Sequence, residues 1–162
     1  MAFFKTSLIR KSTFFLAAAL LSVSATALDS NQIQRLANQG DVEAQFNLGW
    51  MYYQGEGVRQ DYAKAFEWYK KVANQGDSNA QFVLGLLYYK GEGVRQDYAK
   101  AAQWFLKVAN QGDSDAQAML GVMYNKGKGV RQNVATAKEW FGKACDNGDQ
   151  NGCDGYRLLN QR

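Results

Sequence analysis

From residue 42 onward, apolar side chains recur at three- and four-residue intervals, stop at a pair of glycines, and resume. Ala44, Leu48 and Met51 fall at i, i+4 and i+7, one face of a helix. Asp41 stands just ahead of them, where a carboxylate can accept from the free N–H groups of a first helical turn. The pattern predicts a helix A over 42–53. Gly55 and Gly57 interrupt it, since glycine enters left-handed backbone angles at little cost. Asp61 then opens a second periodic stretch in which Tyr62, Ala65, Tyr69 and Val72 share a face, predicting a helix B over 62–74 with Gly76 just past its end.

This helix–loop–helix unit occurs three times with a period of 36 residues, over 41–76, 77–112 and 113–148. The segment Gly55 to Ala65 returns letter for letter as Gly91 to Ala101. A fixed period of this length predicts a stack of similar units, each touching mainly its neighbours. Small residues recur where the two helices of a unit approach: Gly49, Gly85 and Gly121 in helix A, Ala65, Ala101 and Ala137 in helix B. A mid-helix glycine costs about 1 kcal/mol relative to alanine, so its return in three copies implies that a side chain there would strike the partner helix. Trp68, Trp104 and Trp140 keep the same period and are read as packing residues.

The run Ala44…Leu48-Gly49…Met51-Tyr52…Gly55-Glu-Gly-Val58…Asp61…Lys64-Ala65…Trp68…Ala73…Gly76 resembles the Sel1-like repeat family, a relative of tetratricopeptide repeats. The third copy departs from it at Lys128, Asn133 and Cys145. The resemblance implies an all-α fold, a right-handed α/α superhelix (solenoid) acting as an interaction scaffold with no fixed substrate. Residues 28–40 end in the tail of a helix B and are expected to form an N-terminal half-repeat cap. Residues 149–162 begin a fourth unit and lose the pattern, with Arg157 where the glycine should stand, as suits a C-terminal capping helix with a polar outer face.

Residues 1–27 have the layout of a secretory signal peptide: Lys5, Arg10 and Lys11, then an apolar run from Phe14 to Val23, then Ala25-Thr26-Ala27. The run is short for a bilayer span, so no stable membrane insertion is expected after cleavage, and the destination is the periplasm or the extracellular space. Without the leader, sixteen basic and fifteen acidic residues remain, and the net charge of +4 falls to +1. Nucleic-acid binding thereby loses its main support.

Cys145 lies near the end of the third helix B and Cys153 near the start of the cap, separated by seven residues that include Asn147-Gly148. Two helices joined by so short a turn can bring the pair face to face, and an exported chain reaches an oxidising compartment. A disulfide is the favoured reading, stabilising by roughly 2–3 kcal/mol on the chain-entropy model. A redox-active pair and a metal site are the alternatives. The first usually has the closer Cys-x-x-Cys spacing, and two thiolates without histidine cannot fill a structural zinc site. Cys-rich secreted members of the family resemble this spacing, with Cys-x7-Cys bridging successive helices.

The chain contains no histidine, which removes the commonest general base and metal ligand. Some Cys-rich relatives carry a β-lactamase or penicillin-binding label, but residues 28–162 hold no Ser-x-x-Lys and no Lys-Thr-Gly. No enzyme activity, catalytic residue, metal or cofactor is therefore expected. The Gly-x-Gly connectors lack a preceding strand, a third glycine and a following Gly-Lys-Ser/Thr, so they read as structural turns. Arg59, Arg95 and Arg131 form a ladder that is solvated or, alternatively, a basic edge for an anionic glycan, including peptidoglycan.

What varies between copies on one face of helix A can carry specificity. The third, seventh, tenth and fourteenth residues of each unit share a face. They are Glu43, Asn47, Trp50 and Gln54; Asn79, Val83, Leu86 and Lys90; and Asp115, Met119, Val122 and Lys126. By analogy with the family these helices line the concave side. Trp50, Val83, Leu86, Met119 and Val122 would then floor a groove for a peptide or segment of another protein, with a monomeric scaffold presenting it. Packing between successive A helices is the competing use of the same residues.

Overall fold

The computed structural model describes residues 29–161, so the leader read at 1–27 lies outside the described residues. Those described form eight α-helices and no strand: α1 Ser30–Asn38, α2 Val42–Gln54, α3 Tyr62–Asn74, α4 Ser78–Lys90, α5 Tyr98–Ala109, α6 Ser114–Lys126, α7 Val134–Asp146 and α8 Gln150–Asn160. The A helices of the three repeats are α2, α4 and α6; the B helices are α3, α5 and α7. Each helix packs on its neighbours in the chain, and α8 packs on α6 as well as on α7. The result is a helical solenoid.

Aspartates start the helices. Asp41, Asp77 and Asp113 accept from the N–H of Ala44, Ala80 and Ala116 at 2.7 Å. Asp61, Asp97 and Asn133 do the same for the B helices at 3.0–3.1 Å. The A helices stop at Gly55, Gly91 and Gly127, all left-handed, with φ of 78°, 77° and 64°. The second glycine of each connector meets the previous helix: a Cβ on Gly93 or Gly129 would collide with the backbone of Tyr62 or Tyr98. The repeating Gly-x-Gly is thus the point where one unit's connector rests on the unit before it.

The core is a column of Leu48, Leu84 and Leu120 from the A helices with Tyr69, Phe105 and Phe141 from the B helices, all buried. Burying one such side chain contributes about 1.5–3 kcal/mol. The A-helix glycines admit the rings: a Cβ on Gly85 would lie 2.6 Å from Phe105, one on Gly121 2.6 Å from Phe141, and one on Gly49 3.3 Å from Tyr69. Tyr62 departs from the periodic reading. It is exposed and stands edge-on to Tyr53, because the first residue of helix B faces the connector rather than the core.

A ladder of buried glutamines joins successive repeats. Gln45, Gln81 and Gln117 each donate from Nε2 to the carbonyl of Ala37, Ala73 and Ala109, at 3.1 Å. These carbonyls belong to the last turn of the preceding helix, and each accepts a second bond, from the N–H of Gly40, Gly76 or Gly112. In the fourth unit the same two places hold Cys145 and Cys153, and a disulfide joins them across Cα atoms 4.4 Å apart. The covalent bridge stands where a hydrogen bond stands in every other unit.

Candidate functional site

The tryptophans that keep the 36-residue period are spent on packing. Trp68, Trp104 and Trp140 are half-buried against the core, and Lys71, Lys107 and Lys143, one turn on, cover their rings at 3.9, 5.5 and 4.2 Å. Trp50 has no counterpart in the other copies and is 45% exposed. It stacks on Tyr53 with ring centroids 6.4 Å apart. The Tyr53 hydroxyl donates to Glu92 at 2.8 Å and accepts from Lys90 Nζ at 3.2 Å, joining the first repeat to the second. Burial, then the bond to Glu92, raises the Tyr53 pKa, while the bond to Tyr53 raises that of Lys90. In the next pair of repeats Lys128 replaces the glutamate, and its ammonium donates to the Tyr89 hydroxyl at 3.3 Å. The same tyrosine latch therefore works with either charge.

The twelve residues picked out on the A helices divide into four groups. Glu43, Asn47, Gln54, Asn79 and Lys126 are exposed. Val83 and Leu86 are half-buried and pack on the core clusters of the first and second halves of the stack, so part of their surface is already used. Asp115, Met119 and Val122 line an open cleft of about 670 Å³ at the C-terminal end of the A-helix face. Trp50 and Lys90 lie on the same set of helices but outside this cleft.

The cleft exists because of a residue that the spacing argument left out. The sixth residue of each unit is Phe46, Phe82 and Ala118. Phe46 sits 5.2 Å from Tyr69 and Phe82 5.5 Å from Phe105, ring centre to ring centre. Among the described residues no aromatic ring pairs with Phe141, since Ala118 ends at its methyl group. Helix α8 brings Gly155 against the same ring, where a Cβ would lie 2.7 Å from Phe141. Two small residues thus leave an edge of the Phe141 ring, itself only 5% exposed, at the base of the cleft, beside Phe82, Leu158 and Leu159. Leu158 is 54% exposed. The Phe–Phe–Ala break is visible on comparing the copies, but the sixth position lies outside the set formed by the third, seventh, tenth and fourteenth residues.

The rim of the cleft is acidic and amide-bearing: Asp115, Asp149, Asn125 and Asn151. Burial, helped by Asp113 and Asp149 nearby, pushes the Asp115 carboxyl above its ordinary range. None of the ion pairs among the described residues involves Asp115. Arg59, Arg95 and Arg131 are exposed and far along the connectors. Among the described residues no group of three or more His, Cys, Asp or Glu is placed to hold a metal ion, and no helix is long and apolar enough to cross a membrane.

The Sel1 repeat model matches the chain three times, at residues 42–77, 78–113 and 114–149. Among solved structures the chain is similar to a protective antigen of uropathogenic Escherichia coli strains displaying an SLR fold. The identity is 39% over 82% of this chain, with a TM-score of 0.78, and the chain spans 28% of that protein. It is similar to a Sel1 repeat protein from Oxalobacter formigenes, with 36% identity, 77% of this chain and 94% of that one, and a TM-score of 0.68. It is also similar to Helicobacter pylori cysteine rich protein B, with 27% identity, 79% and 96% coverage, and a TM-score of 0.61. A search of curated proteins gives no match.

Proposed function

Because the chain belongs to the Sel1 repeat family, whose members generally act as protein-interaction scaffolds, we propose that it is a monomeric binding scaffold of the periplasm or the extracellular space. Its A-helix face receives a peptide or a segment of another protein. Trp50 anchors one end of that face, and the cleft bounded by Met119 and Val122 lies at the other. The observation that carries the reading is the combination of an exposed, unrepeated Trp50 with an open apolar cleft on the same set of helices. Tryptophan is among the residues that most often carry binding energy at an interface.

Two observations support an extracytoplasmic location. A disulfide fastens the last helix, and such bonds persist mainly in oxidising compartments. One similar protein is an antigen of uropathogenic strains. Family members are typically non-enzymatic scaffolds.

The test is in-envelope crosslinking of the intact protein and of Trp50→Glu, with circular dichroism of both. Loss of a captured protein from a variant that keeps its wild-type helicity and melting point supports the reading. Capture unchanged by W50E, or a variant that melts, sinks the role of Trp50 as an exposed anchor. Leu86→Glu, at a half-buried site, is the control for unfolding.

A further inference from the structure

The cleft over Phe141 differs from the rest of the A-helix face in both shape and charge. Its floor is formed by Phe82, Met119, Val122, Phe141, Leu158 and Leu159, and no lysine or arginine lines it. Its rim carries Asp115 and Asp149. Asp149 spends one oxygen on the N–H of Gly152 as the cap of α8. Among the described residues Asp115, on an exposed position, pairs with no cation, and partial desolvation of its carboxyl raises its pKa. The shape is specific too. The space above Phe141 is the one that Phe46 and Phe82 fill over the matching rings in the first two repeats. An aromatic or large aliphatic side chain is therefore the object that this geometry accommodates, and a positive charge is what the rim lacks.

We propose that the C-terminal cleft binds a protein segment bearing an aromatic or large aliphatic residue within three positions of a lysine or arginine. The apolar side chain seats in the place left by Ala118, between Phe82, Met119 and Leu158 and above the edge of Phe141, and the cation pairs with Asp115. This rests on the scaffold reading and adds to it the chemistry of the partner. The ring of the incoming residue takes the place that Phe46 and Phe82 occupy in the first two repeats, and it covers Leu158, which is 54% exposed. The ammonium or guanidinium supplies the charge-assisted bond that Asp115 does not find within the chain, which sets the polarity of the segment across the groove.

The probes are fluorescein-labelled octapeptides, glycine and serine except for one phenylalanine and one arginine two residues apart. They are compared with versions carrying Glu for Arg or Ala for Phe. Binding to the oxidised full chain is read by anisotropy. The Phe/Arg peptide should bind at least about tenfold more tightly than its Glu counterpart, and the Ala version should lose binding. Ala118→Phe restores the residue of the other two repeats, so the variant has two precedents for folding in the same chain. It should keep its melting point and weaken the Phe/Arg peptide by about tenfold or more. Asp115→Asn should erase the preference for Arg over Glu while leaving helicity unchanged.

Equal affinity for the Arg and Glu peptides, or binding to A118F at wild-type strength, overturns the proposal. The scaffold reading fails separately. If the partner captured in the envelope is lost with W50E and kept with A118F, the groove stands and the cleft does not. If both variants keep the partner, both readings fall.

Discussion

The three helix-A glycines offer a graded test of how closely the two helices of each unit approach. Replacing glycine with alanine in a helix interior contributes about 1 kcal/mol if nothing else changes. What opposes it differs from repeat to repeat. At Gly49 the new methyl would sit 3.3 Å from the Tyr69 ring, a distance that a shift of a few tenths of an ångström relieves. At Gly85 it would sit 2.6 and 2.8 Å from two carbons of Phe105, and at Gly121 2.6 and 2.7 Å from Phe141. Both rings are buried, so neither can swing away without displacing its own neighbours. Overpacking of this kind costs about 1–3 kcal/mol, before a further loss wherever the helices are pushed apart. Gly49→Ala should therefore leave stability within about 1 kcal/mol of wild type. Gly85→Ala and Gly121→Ala should each lower it by about 1–2 kcal/mol. Gly142→Ala is the internal control: its Cβ meets Tyr156 at an ordinary 3.4 Å, so it should stabilise. Urea unfolding of the oxidised protein, followed by far-ultraviolet circular dichroism, measures all four. A second variant of Gly85→Ala carrying Phe105→Leu should recover part of the loss, because the smaller side chain vacates the contested space. G85A equal to or more stable than wild type, or G49A the worst of the three, would refute the account of these glycines as clearance for the rings.

Two more expectations concern the C-terminal end. Reducing Cys145–Cys153 should lower stability by roughly 2–3 kcal/mol, with the new hydrogen exchange concentrated in α8; uniform exchange along the stack would contradict the neighbour-by-neighbour architecture. Asp115→Asn should raise the unfolding midpoint at neutral pH. A carboxyl whose folded pKa lies above its unfolded value favours folding while protonated, and this benefit is lost as pH rises through the folded pKa. The gain from D115N should vanish in acid below the unfolded pKa, and a gain confined to acid would reverse the sign of the argument.

The helices were legible because their causes are local. The spacing of Ala44, Leu48 and Met51, the aspartates ahead of each helix and the glycines behind it put helix A within one residue of its observed end. The glycine contacts were legible as well, since only a close approach explains Gly49, Gly85 and Gly121 mid-helix. The buried glutamines were not. A glutamine at the fifth position of each unit looks like a surface residue until the last-turn carbonyls of the previous helix are placed beside it. Nor was the cleft. It depends on Ala118 and Gly155, 37 residues apart, converging on one ring, and a helical wheel drawn for a single helix cannot show that. Trp50 was separable from Trp68, Trp104 and Trp140 only because the copies permit comparison.

The placement of the disulfide gives the stack a direction. In a solenoid each unit is held by its neighbours, so opening begins at an end and travels inward. At the amino end α1 is held to α2 by side-chain packing and one glutamine bond, all of which can part. At the carboxyl end α8 remains tethered to α7 even after its packing is lost, and it can re-close from a short distance. Unzipping should therefore start at α1 and reach the cleft last. A protein that is worn, pulled or nibbled from its amino end would keep its C-terminal cleft in working order longest.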